Sequence, residues 1–321
     1  MKKTIILLLA LLLLAPFALT NAEQGTLNIV CTTFPILDWT RHILGDRAEK
    51  VNLTLLQASG ADVHSYQPTA RDFINVSGAD LLIYFGGYSD SWVPDAVATA
   101  RNRDIVALNL MDVMGDRVKA DTLVTGMQHG HDEDHDSHEP EHEPEDEHIW
   151  LSLRAAKVLT QAIADTLSRL DNGNAAAYQD NAADYHAALA ALDQEYAQAV
   201  ADAPCKTLLF GDRFPFRYLL DDYGISYFAA FSGCSSESEA SFETVAFLSR
   251  QMDELDLKNI ITIDGSDGRI AGAVLKASKD PDRPLFTLDA MQSVNMKDIE
   301  SGANYLDIMR QNLAVLINAL Q

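Results

Sequence analysis

Short apolar runs alternate with longer stretches of helical spacing along most of this chain. Residues 26–31 (TLNIVC) form a run of the kind that makes a buried strand. Residues 34–44 place apolar side chains at helical spacing, and Gly45 suits the C-terminal cap. The same alternation predicts strands over 51–56, 79–85 and 104–109, with helices over 69–76 and 91–103. Strands that alternate with helices imply a parallel sheet covered on both faces. Two helices follow over 151–170 and 175–201, broken at Asp171-Asn172-Gly173. The second is rich in alanine and ends before Pro204, which makes it a stiff connector. The alternation then resumes, with strands over 207–210, 226–231, 259–264 and 285–288 and helices over 216–223, 242–255, 270–278 and 305–320. The predicted fold is α/β: two lobes, each a mostly parallel sheet covered by helices, joined by one long rigid helix.

The first residues read as an export signal. Lys2 and Lys3 precede an apolar stretch over 5–19, and Ala22 offers a cleavage point. An uncleaved anchor is the alternative, although the stretch is short beside the about 20 residues a span needs. The domains expected are a signal over 1–22, a first lobe over 23–173, the connecting helix over 174–202 and a second lobe over 203–321.

Charge narrows the partners. The formal net charge is -23. So acidic a chain is a poor partner for nucleic acid and is repelled by anionic headgroups, whereas a cation is its natural counter-charge. Within 128–147, His129, His131, His135, His138 and His142 lie among ten acidic residues, with His148 just after. This run cannot bury a core, so a mobile surface loop is expected. Imidazoles among carboxylates offer nitrogen and oxygen to a divalent cation, zinc being the best match, and the loop is read as a metal-capture segment.

Ligands of open α/β sheets collect at the carboxyl ends of strands. That rule selects His64 in the loop after strand 51–56, His148 where apolar residues resume, Gly211-Asp212 after strand 207–210, and Asp289 after strand 285–288. Two imidazoles and one or two carboxylates from opposite lobes would cage a metal ion. Each has a plainer reading: His64 as a surface histidine, His148 as the end of the His/acid run, Asp289 as a helix N-cap.

At these residues the chain resembles the metal-binding lipoprotein family (cluster A-I, or cluster 9) of solute-binding proteins of zinc and manganese ABC transporters, in its zinc-binding form. The resemblance rests on the segment from Gly60 to Thr69 (GADVHSYQPT), close to GxDPHxYxPT, with Val63 in place of the usual proline. It also rests on His148-Ile149-Trp150 directly after a His/acid-rich loop, and on Leu288-Asp289-Ala290-Met291. It implies a monomeric extracytoplasmic protein, periplasmic or on the outer face of the membrane. Such a protein takes up Zn²⁺ in preference to Mn²⁺ and hands it to a membrane permease driven by an ATPase, with no catalysis of its own.

The family pattern puts a third ligand, His or Glu, where Gly211 stands. Asp212, one residue on, is expected to pair with Arg213 or Arg217 rather than bind metal, and Glu237 and Glu239 are weaker candidates. A site of His64, His148 and Asp289 is then completed by water, a loop histidine or another cleft residue. The expected lobe positions of Cys31 and Cys234 allow a disulfide across the cleft, or a thiolate in place of the missing ligand, with Cys205 remote. Two rivals share the site. One is a zinc hydrolase with an open metal position, although no HExxH helix is present. The other is a metal-dependent adhesin or signalling module.

Overall fold

The apolar runs of the first half become β1 (Asn28–Cys31), β2 (Asn52–Leu55), β3 (Leu81–Tyr84) and β4 (Val106–Asn109). Between and after them lie α1 (Phe34–Leu44), α2 (Ala70–Ser77), α3 (Val93–Ala98) and α4 (Leu110–Met114). A two-stranded ribbon of β5 (Lys119–Ala120) and β6 (Glu145–Asp146) leads to α5 (Leu153–Leu170) and α6 (Ala175–Asp202). The second half supplies β7 (Thr207–Phe214), α7 (Arg217–Tyr223), β8 (Ser226–Ser232), α8 (Phe242–Glu254), β9 (Ile260–Ile263), α9 (Arg269–Ala277), β10 (Leu285–Leu288), α10 (Met296–Glu300) and α11 (Tyr305–Ala319). This computed structural model describes residues 26–128, 145–235 and 239–321. The expected signal segment lies outside the described residues.

Both main sheets are parallel throughout, with orders β2-β1-β3-β4 and β10-β9-β7-β8. Within each lobe the alternation of strand and helix builds one parallel four-stranded sheet, as the repeated pattern predicts. Burial explains the order. The runs LLIY of β3 and IITI of β9 are apolar at most positions and sit inside their sheets, whereas NLTL of β2 and LFTL of β10 carry polar residues and take the edges. Each order reverses direction at an inner strand, and ligands of such sheets lie beyond the carboxyl ends at that point.

Two elements differ from expectation in ways that matter. The strand expected over 207–210 runs on to Phe214 through an irregularity: Phe210 pairs with Ala229, and the next partners are Arg213 and Phe231. Two residues, Gly211 and Asp212, thus face one on β8, which is a bulge within the strand rather than its end. The helix expected over 91–103 contracts to α3: after it the Ala100 N–H tightens onto the Val97 carbonyl (3.1 Å) and the Asn102 N–H leaves for the Ser77 carbonyl (3.0 Å).

The connector α6 buries Tyr178, Ala182, Tyr185, Leu189, Leu192, Tyr196 and Val200, a single stripe at steps of four and three. Its 28 residues span roughly 42 Å at 1.5 Å per residue. Asn181 Nδ2 donates to the Ile43 carbonyl in the first lobe (2.9 Å), and Tyr196 donates its hydroxyl to the Met309 carbonyl in the second (2.6 Å). The lobes also share one apolar core. Trp150 Nε1 donates to the Ala290 carbonyl (2.8 Å), the Tyr305 hydroxyl donates to the Trp150 carbonyl (2.7 Å), and Tyr305 N–H donates to Asp38 (3.0 Å). Among the described residues no helix is long and apolar enough to cross a membrane.

Candidate metal centre

His64 sits on a single 3-10 turn, Val63–Ser65, whose N-cap Asp62 accepts the His64 N–H (2.9 Å). Buried Val63 anchors the turn from below. His148 follows β6 and precedes Ile149, Trp150 and Leu151, all fully buried or nearly so; that apolar triplet pulls the imidazole into the protein, where its exposure is 0%. The two rings meet across the chain with their Nε2 atoms 3.0 Å apart.

What the other ring nitrogens do fixes the chemistry. His148 Nδ1 lies 2.7 Å from Asp146 Oδ1, which also accepts the His148 backbone N–H (3.0 Å). His64 Nδ1 lies 3.0 Å from Glu147 Oε1 and 3.1 Å from Ser89 Oγ, and the Ser89 hydroxyl donates to the same carboxylate (2.5 Å). A carboxylate on each Nδ1 holds the proton there, so both Nε2 atoms present lone pairs to one point. Two facing lone pairs repel unless something positive stands between them. Here the Gln292 amide does: its Nε2 is 3.0 Å from His64 Nε2 and 2.9 Å from His148 Nε2, so its two hydrogens answer the two lone pairs. A cation would meet the same demand.

Electrostatics around the rings agree with that polarity. Burial alone would depress the His148 imidazole, but the Asp146 carboxylate, with Glu147 and Asp121 behind it, holds its pKa above the usual histidine value. Burial would raise Glu147, yet the hydrogen bonds from His64 and Ser89 keep it below the usual carboxylate range. Asp90, behind this pair, is pushed up to about 7 by burial, with the Glu147 charge adding to the shift.

The third converging side chain is Cys234. One donor atom each from His64, His148 and Cys234 lie within 4.8 Å of one another. Gly233 makes this possible: a Cβ there would stand 2.7 Å from His148 Cε1 and 2.9 Å from the Phe214 carbonyl. Only a glycine lets the backbone after β8 pass over the imidazole. Beside His64 a cleft of about 430 Å³ opens between the lobes, walled by Asp62, Asp212, Arg213, Ser235 and Arg269. Arg213 donates to Asp62 across it (2.6 Å) and holds that carboxyl below its usual range despite the opposing effect of burial.

The remaining expectations fare unevenly. Asp289 does not join the histidines. Its Oδ1 accepts the Met291 N–H (2.7 Å), closing a turn after β10, and it borders a separate pocket of about 410 Å³ with Asp264, Asp298 and Asp307. Burial, with the charge of Asp264 next, raises its pKa to about 6. The turn sends Gln292, three residues on, into the site instead. Gly211 is not a vacant ligand position at a strand end: it lies inside β7, where a Cβ would stand 2.5 Å from Ala271 Cα of α9. Asp212 takes neither metal-ligand nor ion-pair geometry. Its carboxylate accepts from Thr262 Oγ1 (2.5 Å) and from the Arg213 N–H (2.9 Å), while the Arg213 guanidinium goes to Asp62 and Arg217 to Asp221.

Glu239 is exposed and outside the donor cluster. Glu237 and the loop histidines His129, His131, His135, His138 and His142 lie outside the described residues. Cys31 and Cys234 are free thiols rather than a disulfide. Cys31 is buried against Thr40 Oγ1 (3.8 Å), within its own lobe, which removes it from the cleft. Its pKa is pushed up to about 12 by burial, and Cys234 is pushed up further by burial and by Glu147, Asp121 and Asp146.

Sequence reasoning missed Ser89 and Gln292, for which no local signal exists. It also counted Asp146 and Glu147 into the acidic run. They are 1% and 2% exposed, and the strand Glu145–Asp146 pairs with Lys119–Ala120. Their position directly before His148 was the available signal.

Known proteins are similar to this chain in sequence and in fold. The family model described as zinc-uptake complex component A, periplasmic (ZnuA), matches residues 29–319. The zinc-binding lipoprotein AdcA of Streptococcus pneumoniae serotype 4 is 30% identical over 318 residues, which cover 98% of this chain and 60% of AdcA. The chain thus spans about 60% of the length of that curated relative. The high-affinity zinc uptake system protein ZnuA of Bacillus subtilis is 28% identical over 300 residues, covering 94% of this chain and 89% of that protein. The Zn(II)-bound ZnuA-like domain of S. pneumoniae AdcA superposes with a TM-score of 0.70 at 27% identity, covering 92% of this chain and 99% of that domain. With the match running from Ile29 in β1 to Ala319 at the end of α11, the chain belongs to the ZnuA family, the periplasmic component A of zinc-uptake complexes.

Proposed function

We propose that this protein captures a divalent cation, Zn²⁺ ahead of Mn²⁺, in the cleft between its lobes and delivers it to a membrane permease powered by an ATPase. It works outside the cytoplasm, as a monomer, and the cation is its cargo. One observation carries the reading: two buried imidazoles, each held by a carboxylate at Nδ1, aim their Nε2 lone pairs at one point from 3.0 Å apart. Such carboxylate–histidine pairs orient the ligand and raise its basicity. The names of the relatives, a zinc-binding lipoprotein and a zinc uptake protein, support zinc as the ion and uptake as the purpose. The expected role of the histidine-rich segment is to gather ions for the cleft.

Binding is preferred to hydrolysis for a physical reason. A catalytic zinc keeps one position open for water with a general base beside it. Here the 5%-exposed Gln292 side chain occupies the point where that water would stand, and Asp146 and Glu147 are engaged at the far sides of the rings.

The test is zinc content and chelator competition on the full chain. One tightly held zinc per chain is expected. His148→Ala should weaken it by at least about 100-fold, a loss at the upper end of those seen when outer-sphere partners are removed. Asp289→Asn should change it by less than about threefold. An unchanged affinity in His148→Ala would remove the cleft site altogether.

A further inference from the structure

The geometry points to Cys234 as the third donor, which makes the cleft a nitrogen–sulfur site that takes thiophilic cations such as Zn²⁺, Cd²⁺ and Co²⁺ and discriminates against Mn²⁺. This rests on the reading of the cleft as a metal site and adds to it the identity of the donor and the class of ion.

The two histidines supply two nitrogens, whereas a stable zinc centre takes four donors. β7 cannot supply another at Gly211, because α9 packs against that position. Asp212 is occupied by Thr262 and Asp289 by its own turn. Asp146 and Glu147 approach the rings from the Nδ1 side and are used there. Among the described residues, the group of His, Cys, Asp and Glu donors that closes within 4.8 Å contains Cys234 and no carboxylate.

The approach of Cys234 has a structural cause. β8 ends at Ser232, and Gly233 then passes against the His148 ring, which sets the next side chain beside both imidazoles. Tetrahedral zinc with bonds of about 2.0–2.1 Å to nitrogen and 2.3 Å to sulfur needs nitrogens about 3.3 Å apart and sulfur about 3.6 Å from each. The two Nε2 atoms stand at 3.0 Å and the sulfur is within 4.8 Å of a ring nitrogen of each histidine, so the shell closes through side-chain shifts of the order of 1 Å or more. Turning the Gln292 carboxamide over brings its oxygen, rather than its amide, towards the ion as a fourth donor. As the sulfur–metal bond forms, the thiol proton leaves to solvent, so a thiolate binds the ion.

Selectivity follows from donor type. Thiolate and imidazole suit zinc and its softer neighbours, whereas manganese prefers carboxylate, carbonyl and water oxygen. A site in which sulfur stands where a carboxylate would otherwise close the shell rejects manganese through its chemistry and needs no change of size.

The probe is one equivalent of Co²⁺ added to the reduced, metal-free full chain, followed by optical absorption and competition with Zn²⁺ and Mn²⁺. The wild-type protein is expected to show a near-ultraviolet sulfur-to-cobalt charge-transfer band together with the visible bands of four-coordinate cobalt. Cys234→Ser should lose the near-ultraviolet band, weaken zinc roughly tenfold or more and narrow the zinc-over-manganese preference. Cys205→Ser should keep the band. Wild-type protein that binds cobalt without the near-ultraviolet band, or a Cys234→Ser variant with unchanged zinc affinity, would overturn the sulfur assignment while His148→Ala still abolishes binding. Loss of nothing on His148→Ala would instead overturn the cleft reading beneath it.

Discussion

The behaviour of this cleft depends on where two ring protons sit. Asp146 and Glu147 hold them on the far nitrogens of His148 and His64, and both carboxylates are almost wholly buried. Asp146→Ala frees His148 to rotate and to change tautomer, so zinc affinity should fall about 10- to 100-fold with the fold intact, as chelator competition would report. Asp90 makes a different prediction. Its Oδ2 accepts the Phe85 and Gly86 N–H groups at 2.9 and 3.1 Å, and its carboxyl titrates at about 7, against 3.8 for an isolated aspartate. The folded state therefore binds the proton more tightly than the unfolded chain. The contribution of this group to stability is fully present below about pH 3.8 and is lost as pH rises through about 7. Asp90→Asn keeps an acceptor and removes the buried charge; at about pH 8 it should raise stability by about 1–2 kcal/mol, with no gain near pH 4, measured by thermal melts at both pH values.

At the scale of elements, β7 decides most. A strand that ended at Phe210 would have left Gly211 and Asp212 free beyond it; in the bulged strand that runs on to Phe214, Gly211 packs on α9, and Asp212, at the cleft wall, gives its carboxylate to Thr262. Placing the family's missing histidine by Gly211→His should therefore not add a ligand. It should destabilise the protein by about 1–3 kcal/mol by overpacking against Ala271, and leave zinc no tighter, as calorimetry and a thermal melt would show together. The strand's existence was legible in TLLF, but its end was not, because FGDRF pairs through tertiary contacts with β8 rather than through any local signal. His64 and His148 were legible because turn chemistry and an adjacent apolar anchor fix them locally. Asp289 follows β10 where expected, yet the backbone closes on its carboxylate and carries Gln292 inward.

Across the whole molecule, two parallel sheets face each other over a shared core and are held at a set distance by α6. Trp150 and Tyr305 tie the lobes from within, which favours small relative motion over wide hinging. At the cleft mouth Arg213 and Asp62 form a further tie. Its side chains are partly exposed, so it is worth about 1 kcal/mol at most. Arg213→Ala should then speed zinc release about fivefold in stopped-flow chelation while hardly changing the melting temperature. Deletion of residues 129–144, the bulk of the expected capture segment, should leave one tight zinc per chain, since the cleft donors all lie elsewhere; metal analysis before and after deletion checks this.

The alternation of apolar runs and helical spacing determined the two-lobed α/β architecture, because buried parallel strands need continuous apolar side chains whatever their neighbours are. Local chemistry likewise determined the two histidines. Only tertiary structure decided what surrounds them: which carboxylates hold their protons, why Gly211 is packed rather than vacant, how Gly233 lets the backbone pass His148 and bring Cys234 near both rings, and how Gln292 reaches their Nε2 atoms. Those contacts join residues as far as 228 positions apart, as for Gln292 and His64, and no periodicity in a chain encodes a meeting over such a distance.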